Sequence, residues 1–340
     1  MSSSSDSSYP ASLIQPILSR VTGSTGVNLP VLYPVEGGSI NAAYRITTKN
    51  NAQWFSKIND STAFPDLLEK ESRGLDFLRM RSIFRIPAVV ACETARGTQI
   101  LLLEWINQGP ATTAFWHLFG EQLARLHRVS AEFPSATLVE SVSPAFGLSW
   151  NNYMGALPQS NTPSLQWVDF FIQQRLDPQL RLAAEKGLLA PAALRSFERL
   201  YKVLPDIFGE EAPSLLHGDL WSGNFLCDDK SRPVLIDPAV YLGHRSIDLA
   251  MTTLFGGFDP AFYQAYTYHF PFPVNYQEQW EICNLYPLLI HLNLFGEIPG
   301  KGALPKDGPF PDSIDVGPSA KASVTPFSYA GSILNTIQRF

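Results

Sequence analysis

The chain of 340 residues has only three cysteines, Cys92, Cys227 and Cys283, and they stand far apart. That number and spacing give neither a disulfide framework nor a metal-ligand pattern, and a reducing compartment is the expectation. Basic charge is also short: 25 Lys and Arg against 31 Asp and Glu leave a formal charge of -6. A nucleic-acid binder would carry a basic face, so no nucleic-acid partner is expected. No apolar run is long enough to span a membrane, and Leu285 to Phe295 is interrupted by His291 and Asn293. The opening MSSSSDSSYP lacks the basic and apolar regions of a signal peptide and reads as a disordered tail over residues 1–10. Internal repeats are absent. A cytoplasmic protein with no membrane partner is the expectation.

What is present is 45% hydrophobic residues, enough for a sizeable core, at a length that suits two lobes. Residues 11–105 read as a small β-rich lobe. Ser12 to Arg20 has helical spacing, and Val31 to Val35, Ala42 to Thr48 and Gln53 to Ile58 read as strands. A helix is expected over Ser61 to Arg81, then strands at Ala88 to Cys92 and Gln99 to Trp105. Residues 106–340 turn helical, with helices expected at Thr113 to Val129, Leu165 to Lys186 and Pro191 to Leu204. Asn161 to Ser164 offers a cap for the second, and Pro191 suits a first turn. Short β runs at Phe225 to Cys227 and Val234 to Ile236 interrupt this region. Helices resume at Ile247 to Phe255, Pro260 to Tyr268 and Tyr276 to Phe295. Residues 298–326 form a Pro/Gly-rich insertion without periodicity, and Ser328 to Phe340 is amphipathic again.

The informative stretch is LLHGDLWSGNF, Leu215 to Phe225, followed by VLIDPAV, Val234 to Val240. It sets His217, Asp219, Asn224 and Asp237 in the order that kinase-type phosphoryl transfer requires. One carboxylate, Asp219, suits receipt of the acceptor's hydroxyl proton. Asn224 and Asp237 suit Mg2+, which prefers hard oxygen ligands. The plain alternatives are an Asp219 helix cap, an Asn224 turn and a turn aspartate before Pro238. His217 reads as structural, packed beneath the loop and bonded to backbone. Asp248 either answers a helix N-terminus or holds the catalytic-loop backbone; both readings stand.

Upstream, Lys57 lies in the strand WFSKIN and Glu71 in the following helix. They match the strand-lysine, helix-glutamate pair that sets the α- and β-phosphates of ATP. A solvated strand lysine is the dull alternative. The turn EGGSIN brings Gly37, Gly38, Ser39 and Asn41 to a place where backbone amides can approach phosphate. Glu104, Trp105 and Ile106 end the last strand where an adenine would meet the hinge.

These pieces resemble the fructosamine/ketosamine-3-kinase family, relatives of aminoglycoside phosphotransferases and choline kinases. The match runs nearly end to end: VEGGSINAAYRI, WFSKIN, LARLH, NNYMGALPQSN, HGDLWSGN, IDPAVYLGHRSIDLAMTTLFGGF and LYPLLIHLNLFG. The resemblance implies an α+β, bilobal protein-kinase-like fold, with a small N-terminal antiparallel β-sheet lobe and a larger helical C-terminal lobe. It implies phosphorylation of the 3-hydroxyl of ketosamines, as small molecules or glycated protein lysines, using ATP and Mg2+, and leading to deglycation. Asp219 would act on the sugar proton; Asn224 and Asp237 would bind magnesium. Lys57 and Glu71 would set the phosphates, beneath Gly37, Gly38 and Ser39. Trp221 would stack on the sugar or pack against the core, and His291 would line the acceptor pocket or sit in the core. A kinase of the aminoglycoside or choline type and a non-catalytic nucleotide-binding module are the alternatives. A monomer or weak homodimer is expected. Two departures stand out: Ser246 sits in GHRS where the family commonly has an acidic residue, and the Pro/Gly-rich insertion after Phe295 separates LFG from the terminal helix. Ser39 stands where some relatives carry a cysteine for redox-linked dimerisation, so that switch is expected to be absent.

Overall fold

A computed structural model describes residues 8–23, 30–35, 40–132, 145–296 and 328–340. Helix α1 (Ser8–Thr22) takes in residues 8–10 of the stretch expected as a tail. Five antiparallel strands follow, β1 (Val31–Pro34), β2 (Ala42–Thr47), β3 (Gln53–Asp60), β4 (Val89–Ala95) and β5 (Thr98–Glu104), in the order β1-β2-β3-β5-β4. Helix α2 (Leu67–Arg79) connects β3 to β4.

β5 is apolar from Ile100 to Leu103 because both of its faces are covered there. Ile100 and Leu102 pack with Ile46 and Ile58 under Leu13, Ile14, Ile17 and Leu18 of α1. Leu101 and Leu103, pointing the other way as strand geometry demands, join the main core with Leu68, Leu75 and Leu78 of α2. α2 begins six residues later than its spacing suggests. Asp60 draws the chain into a turn, accepting from the Thr62 amide with its side chain and from the Phe64 amide with its carbonyl.

The second lobe is helical: α3 (Thr113–Glu132), α4 (Trp167–Phe171), a π-helical turn (Ile172–Leu176), α5 (Asp177–Glu185), α6 (Pro191–Phe208), α7 (Ser246–Leu254), α8 (Pro260–His269), α9 (Tyr276–Cys283), α10 (Leu285–Phe295) and α11 (Tyr329–Ile337). Three antiparallel two-stranded pairs interrupt it: β6 (Asn152–Met154) with β7 (Leu157–Gln159), β8 (Ser214–Leu216) with β11 (Tyr241–Gly243), and β9 (Phe225–Cys227) with β10 (Pro233–Leu235). The small antiparallel sheet lobe over a helical lobe is the bilobal protein-kinase-like arrangement. Among the described residues no helix is long and apolar enough to cross a membrane.

Several local expectations change. Asn161 does not cap α4, whose N-cap is Gln166; its side chain instead donates to Trp150 O and Asn152 Oδ1 and accepts from Arg175. The single helix expected over Tyr276 to Phe295 is two, parted at Asn284, with Pro287 in the first turn of α10. Pro191 does stand at the start of α6. The expected insertion at 298–326 lies outside the described residues.

Candidate active site

The loop after β8 is built from behind. Gly218 has φ +85°, and a Cβ there would lie 2.1 Å from Ala239 O, so only glycine fits. Both carboxylate oxygens of the fully buried Asp248 are used: Oδ2 accepts from the His217 amide and Oδ1 from the Gly218 amide, each at 2.8 Å. Of the two readings of Asp248, the structure gives the loop-holding one. Ser246, the departure noted above, donates to Gln279 Oε1 on α9, so position 246 ties α7 to its neighbour and leaves the loop to Asp248.

His217 is buried and turned inward. Its Nδ1 accepts from the Asp219 amide at 3.2 Å, which leaves the proton on Nε2, donated to Ile236 O at 2.8 Å. Burial pushes its pKa down. The imidazole thus pins the loop after β8 to the strand leading into Asp237. Asn224 closes the loop on itself, donating from Nδ2 to both Asp219 O and Asp219 Oδ2 at 2.8 Å. Its Oδ1 is thereby left to accept or ligate. Burial in the cleft wall raises the Asp219 carboxyl to about 7, against the opposing hydrogen bond from Asn224.

Across the cleft, Lys57 Nζ lies 2.9 Å from Glu71 Oε1 on α2 and 2.7 Å from Asp237 Oδ1. Burial alone would lower the lysine's pKa, but the two carboxylates outweigh it and drive the pKa up. Burial likewise pushes Glu71 up. Asp237 holds φ +55°, a left-handed conformation unusual for a non-glycine residue, and it is fixed from both sides by Ile236 N to Asn224 O and Ala239 N to His217 O.

Between the lobes lies a cavity of about 420 Å³, onto which Lys57, Glu71, Asp219, Asn224 and Asp237 all open. Asn41, Glu104, Trp105, Ile106, Trp221 and His291 line the same space. Asn41 Oδ1 accepts from Asn59. The Glu104 carboxylate is committed to Arg85 and the Ala88 amide, and the Glu104 amide donates to Ala88 O at 2.9 Å. Trp105 donates to Asn107 Oδ1 beside the Arg45 guanidinium. Trp221 is half-buried and edge-on to Phe255, with a ring so close that a Cβ on Gly223 would sit 2.4 Å from it. It therefore packs on the core and lines the cleft at once. His291 donates from Nδ1 to Pro287 O at 2.7 Å, and burial lowers its pKa. Gly37, Gly38 and Ser39 lie outside the described residues.

The fructosamine kinase family model matches residues 12–303. The chain belongs to the fructosamine kinase family. Among relatives, a probable ketoamine kinase of Lactiplantibacillus plantarum is 40% identical over 272 residues, which is 78% of this chain and 89% of that protein. A solved structure of a putative fructosamine-3-kinase from Thermobifida fusca aligns with a TM-score of 0.69 at 33% identity, covering 82% of this chain and 92% of the other. A second, from Haemophilus somnus, reaches 0.74 over 96% of each chain; at 23% identity it speaks for the fold.

Sequence reasoning missed two features of this fructosamine kinase family site. The first is a clasp at the hinge: Arg85 donates 2.6 Å to Glu104 on β5 and 2.6 Å to Asp228 in the β9–β10 turn, and Asp228 also holds Arg232. These contacts lower the pKa of Asp228 despite its burial. Arg85 and Asp228 are 143 residues apart, so no local pattern announces the pair. The second is a buried relay in which Arg175 donates to Asn161, Asn161 and Gln159 donate to Asn152, and Asn152 and Gln159 donate to Val240 O and Ala239 O. It fixes the backbone just beyond Asp237. NNYMGALPQSN holds three of its members, and that density of amides was the only signal.

Proposed function

We propose that the chain is a ketosamine-3-kinase, transferring the γ-phosphoryl group of ATP to the 3-hydroxyl of a ketosamine. The observation that carries this reading is Lys57 held between Glu71 and Asp237, opposite Asp219 and Asn224 on one cavity. Family membership supports the kinase class, and the relatives' names support a ketosamine acceptor.

In the proposed reaction the acceptor's hydroxyl oxygen attacks the γ-phosphorus, the bond to the β,γ-bridging oxygen breaks, and ADP leaves. Asp219 Oδ receives the hydroxyl proton; a carboxyl near pKa 7 is suited to this at neutral pH. Lys57 presents fixed positive charge to the α- and β-phosphates, and Glu71 keeps it aimed. Gly37, Gly38 and Ser39 would cover the phosphates, Asn41 would border them, and the Glu104–Trp105–Ile106 backbone would receive the adenine. Trp221 and His291 would line the sugar. The donor set fits Mg2+: the Asn224 Oδ1 and the Asp237 carboxylate are hard oxygens, and a cation that keeps waters and takes phosphate oxygens needs few protein ligands. Magnesium there would neutralise charge on the phosphates.

The 3-phosphate makes the adduct eliminate spontaneously, freeing the amine, so the proposed outcome is deglycation of small amines or protein lysines. We place the lobe boundary at 105/106, at the end of β5, and the site of action in the cytoplasm. The test is a coupled ADP assay with fructoselysine and ribuloselysine beside choline and an aminoglycoside. Ketosamine-dependent, Mg2+-dependent turnover supports the reading, and turnover with choline or the aminoglycoside alone overturns it.

A further inference from the structure

The aromatic residues of the cleft form a row that does not stop at the cleft. Trp221 of the catalytic loop meets Phe255 with ring centroids 5.6 Å apart, Phe255 meets His291 at 5.0 Å, and His291 meets Tyr329 at 5.5 Å. Tyr329 is the first residue of α11, which lies beyond residue 303, where the family match ends. The row therefore joins a residue of the HGDLWSGN signature to an element that the family model does not describe.

His291 has two constraints. Its Nδ1–H is used by Pro287 O, which fixes the neutral ring as a donor on that side and leaves Nε2 as the acceptor. The second is packing: Phe255, Tyr329 and, at 5.7 Å, Phe295 meet the ring. Of these, only Tyr329 comes from outside the α7–α10 segment.

α11 is anchored without the tyrosine ring. Ile333 and Ile337 are fully buried, Ser328 Oγ caps the helix by accepting from the Gly331 amide at 2.9 Å, and Arg339 pairs with Glu281 on α9. Removing the Tyr329 ring therefore leaves the helix docked on α10 and changes what faces His291.

We infer that Tyr329 is a positioning residue for the acceptor, holding His291 against the ketosamine side of the cleft and so setting acceptor affinity from the C-terminal helix. The inference rests on the ketosamine-kinase reading above. It separates the two substrates: α11 packs on α10 and α6, whereas Lys57 and Glu104 belong to β3 and β5 of the sheet lobe. A residue acting through His291 changes KM for the acceptor and leaves KM for ATP alone.

The test compares steady-state kinetics of the full chain, Tyr329→Ala, Tyr329→Phe, His291→Ala and the Ala/Ala double variant, with fructoselysine and ATP varied in turn. Tyr329→Ala should raise the ketosamine KM about three- to ten-fold, the scale of one aromatic contact. ATP KM should stay at the wild-type value. Tyr329→Phe, which keeps the ring, should restore wild-type kinetics, and the double variant should be no worse than His291→Ala. Where the alanine variant fails to fold, Tyr329→Leu keeps an apolar side chain against the core, removes the ring and carries the same expectation. Unchanged ketosamine KM, equal shifts in both KM values, or additive effects in the double variant overturn the inference. Wild-type chain without ketosamine turnover would instead overturn the functional reading, so the two failures are distinguishable.

Discussion

Lys57 Nζ and Asp237 Oδ1 stand 2.7 Å apart, and this contact joins the central strand of the sheet lobe to the segment after β10 in the helical lobe. Glu71, 2.9 Å from the same ammonium, makes it a three-member centre in which one cation answers two carboxylates. Removing the cation leaves both carboxylates facing each other in a half-dry cleft.

Lys57→Met should therefore lower kcat/KM by about 10²- to 10³-fold, the usual consequence of losing one fixed charge at a transferring phosphoryl group. Glu71→Gln, which keeps a hydrogen-bonding group beside the ammonium, should cost less than Lys57→Met. The coupled assay orders the two variants, and the reverse order would contradict the centre as described.

Asp248 tests the support of the loop separately from its chemistry. Its two oxygens serve two buried amides, and Oδ2 also meets His127 Nε2 at 3.2 Å. Asp248→Ala strands both amides and should cost roughly 2–6 kcal/mol of stability. Asp248→Asn keeps one acceptor oxygen and should cost less. Urea unfolding midpoints measure the difference.

The buried histidines should each lose stability to acid. Burial lowers the pKa of His217 and His127, and that of His244 to about 3, with Arg245 adding to the effect at His244. Asp248 faces His127 and His217 and opposes their shifts, without reversing them. A lowered pKa means that the fold takes up these protons less readily than the unfolded chain does, so the histidines' part of the stability is full above pH 6.5, their ordinary value, and falls as pH drops below it. Asp219 and Glu71, both raised to about 7, act with the opposite sign between pH 7 and 4. For His244 the slope approaches about 1.4 kcal/mol per pH unit and continues to about pH 3. Denaturant midpoints at pH 7.5, 6 and 5 for the chain and for His244→Gln isolate this part; a chain midpoint that does not fall relative to the variant's on acidification would contradict it.

Breaking the hinge clasp should act on both lobes. Arg85→Met leaves the fully buried Asp228 side chain with the more exposed Arg232 and backbone amides, and frees Glu104 from its guanidinium partner. An expected loss of about 3–5 kcal/mol follows from removing one member of a buried ion pair, reduced by those remaining partners. The same unfolding titration reads it, alongside a rise in the ATP KM.

Much of this was legible in the sequence for physical reasons that differ by element. β2, β3 and β5 announced themselves because a covered sheet needs apolar runs of strand length, and HGDLWSGN because its spacing is chemical. β6, β7, β8 and β11 are three residues each, too short for any periodicity to register; β9 and β10, equally short, were legible only as apolar runs beside HGDLWSGN and IDPA. The start of α2 was misplaced because Asp60 diverts Ser61–Phe64 into a turn of helix-compatible composition. Asp248 kept two readings until the His217 and Gly218 amides were found on its oxygens, since a first-turn aspartate looks the same in sequence whichever amides it serves. The Arg85 clasp and the Arg175 relay depend on tertiary approach and have no local signature.

The central claim is that one cleft between the lobes transfers phosphate to a ketosamine with Asp219 as the proton acceptor. Its most direct measurement is ³¹P NMR of the chain with ATP, Mg2+ and fructoselysine, run beside Asp219→Asn. The account predicts a sugar 3-phosphate formed one-for-one with ADP by the wild-type chain, and a rate about 10²- to 10⁴-fold lower in the variant with ATP binding retained. Equal rates in the two proteins, or phosphate appearing on any position but the 3-hydroxyl, would contradict it.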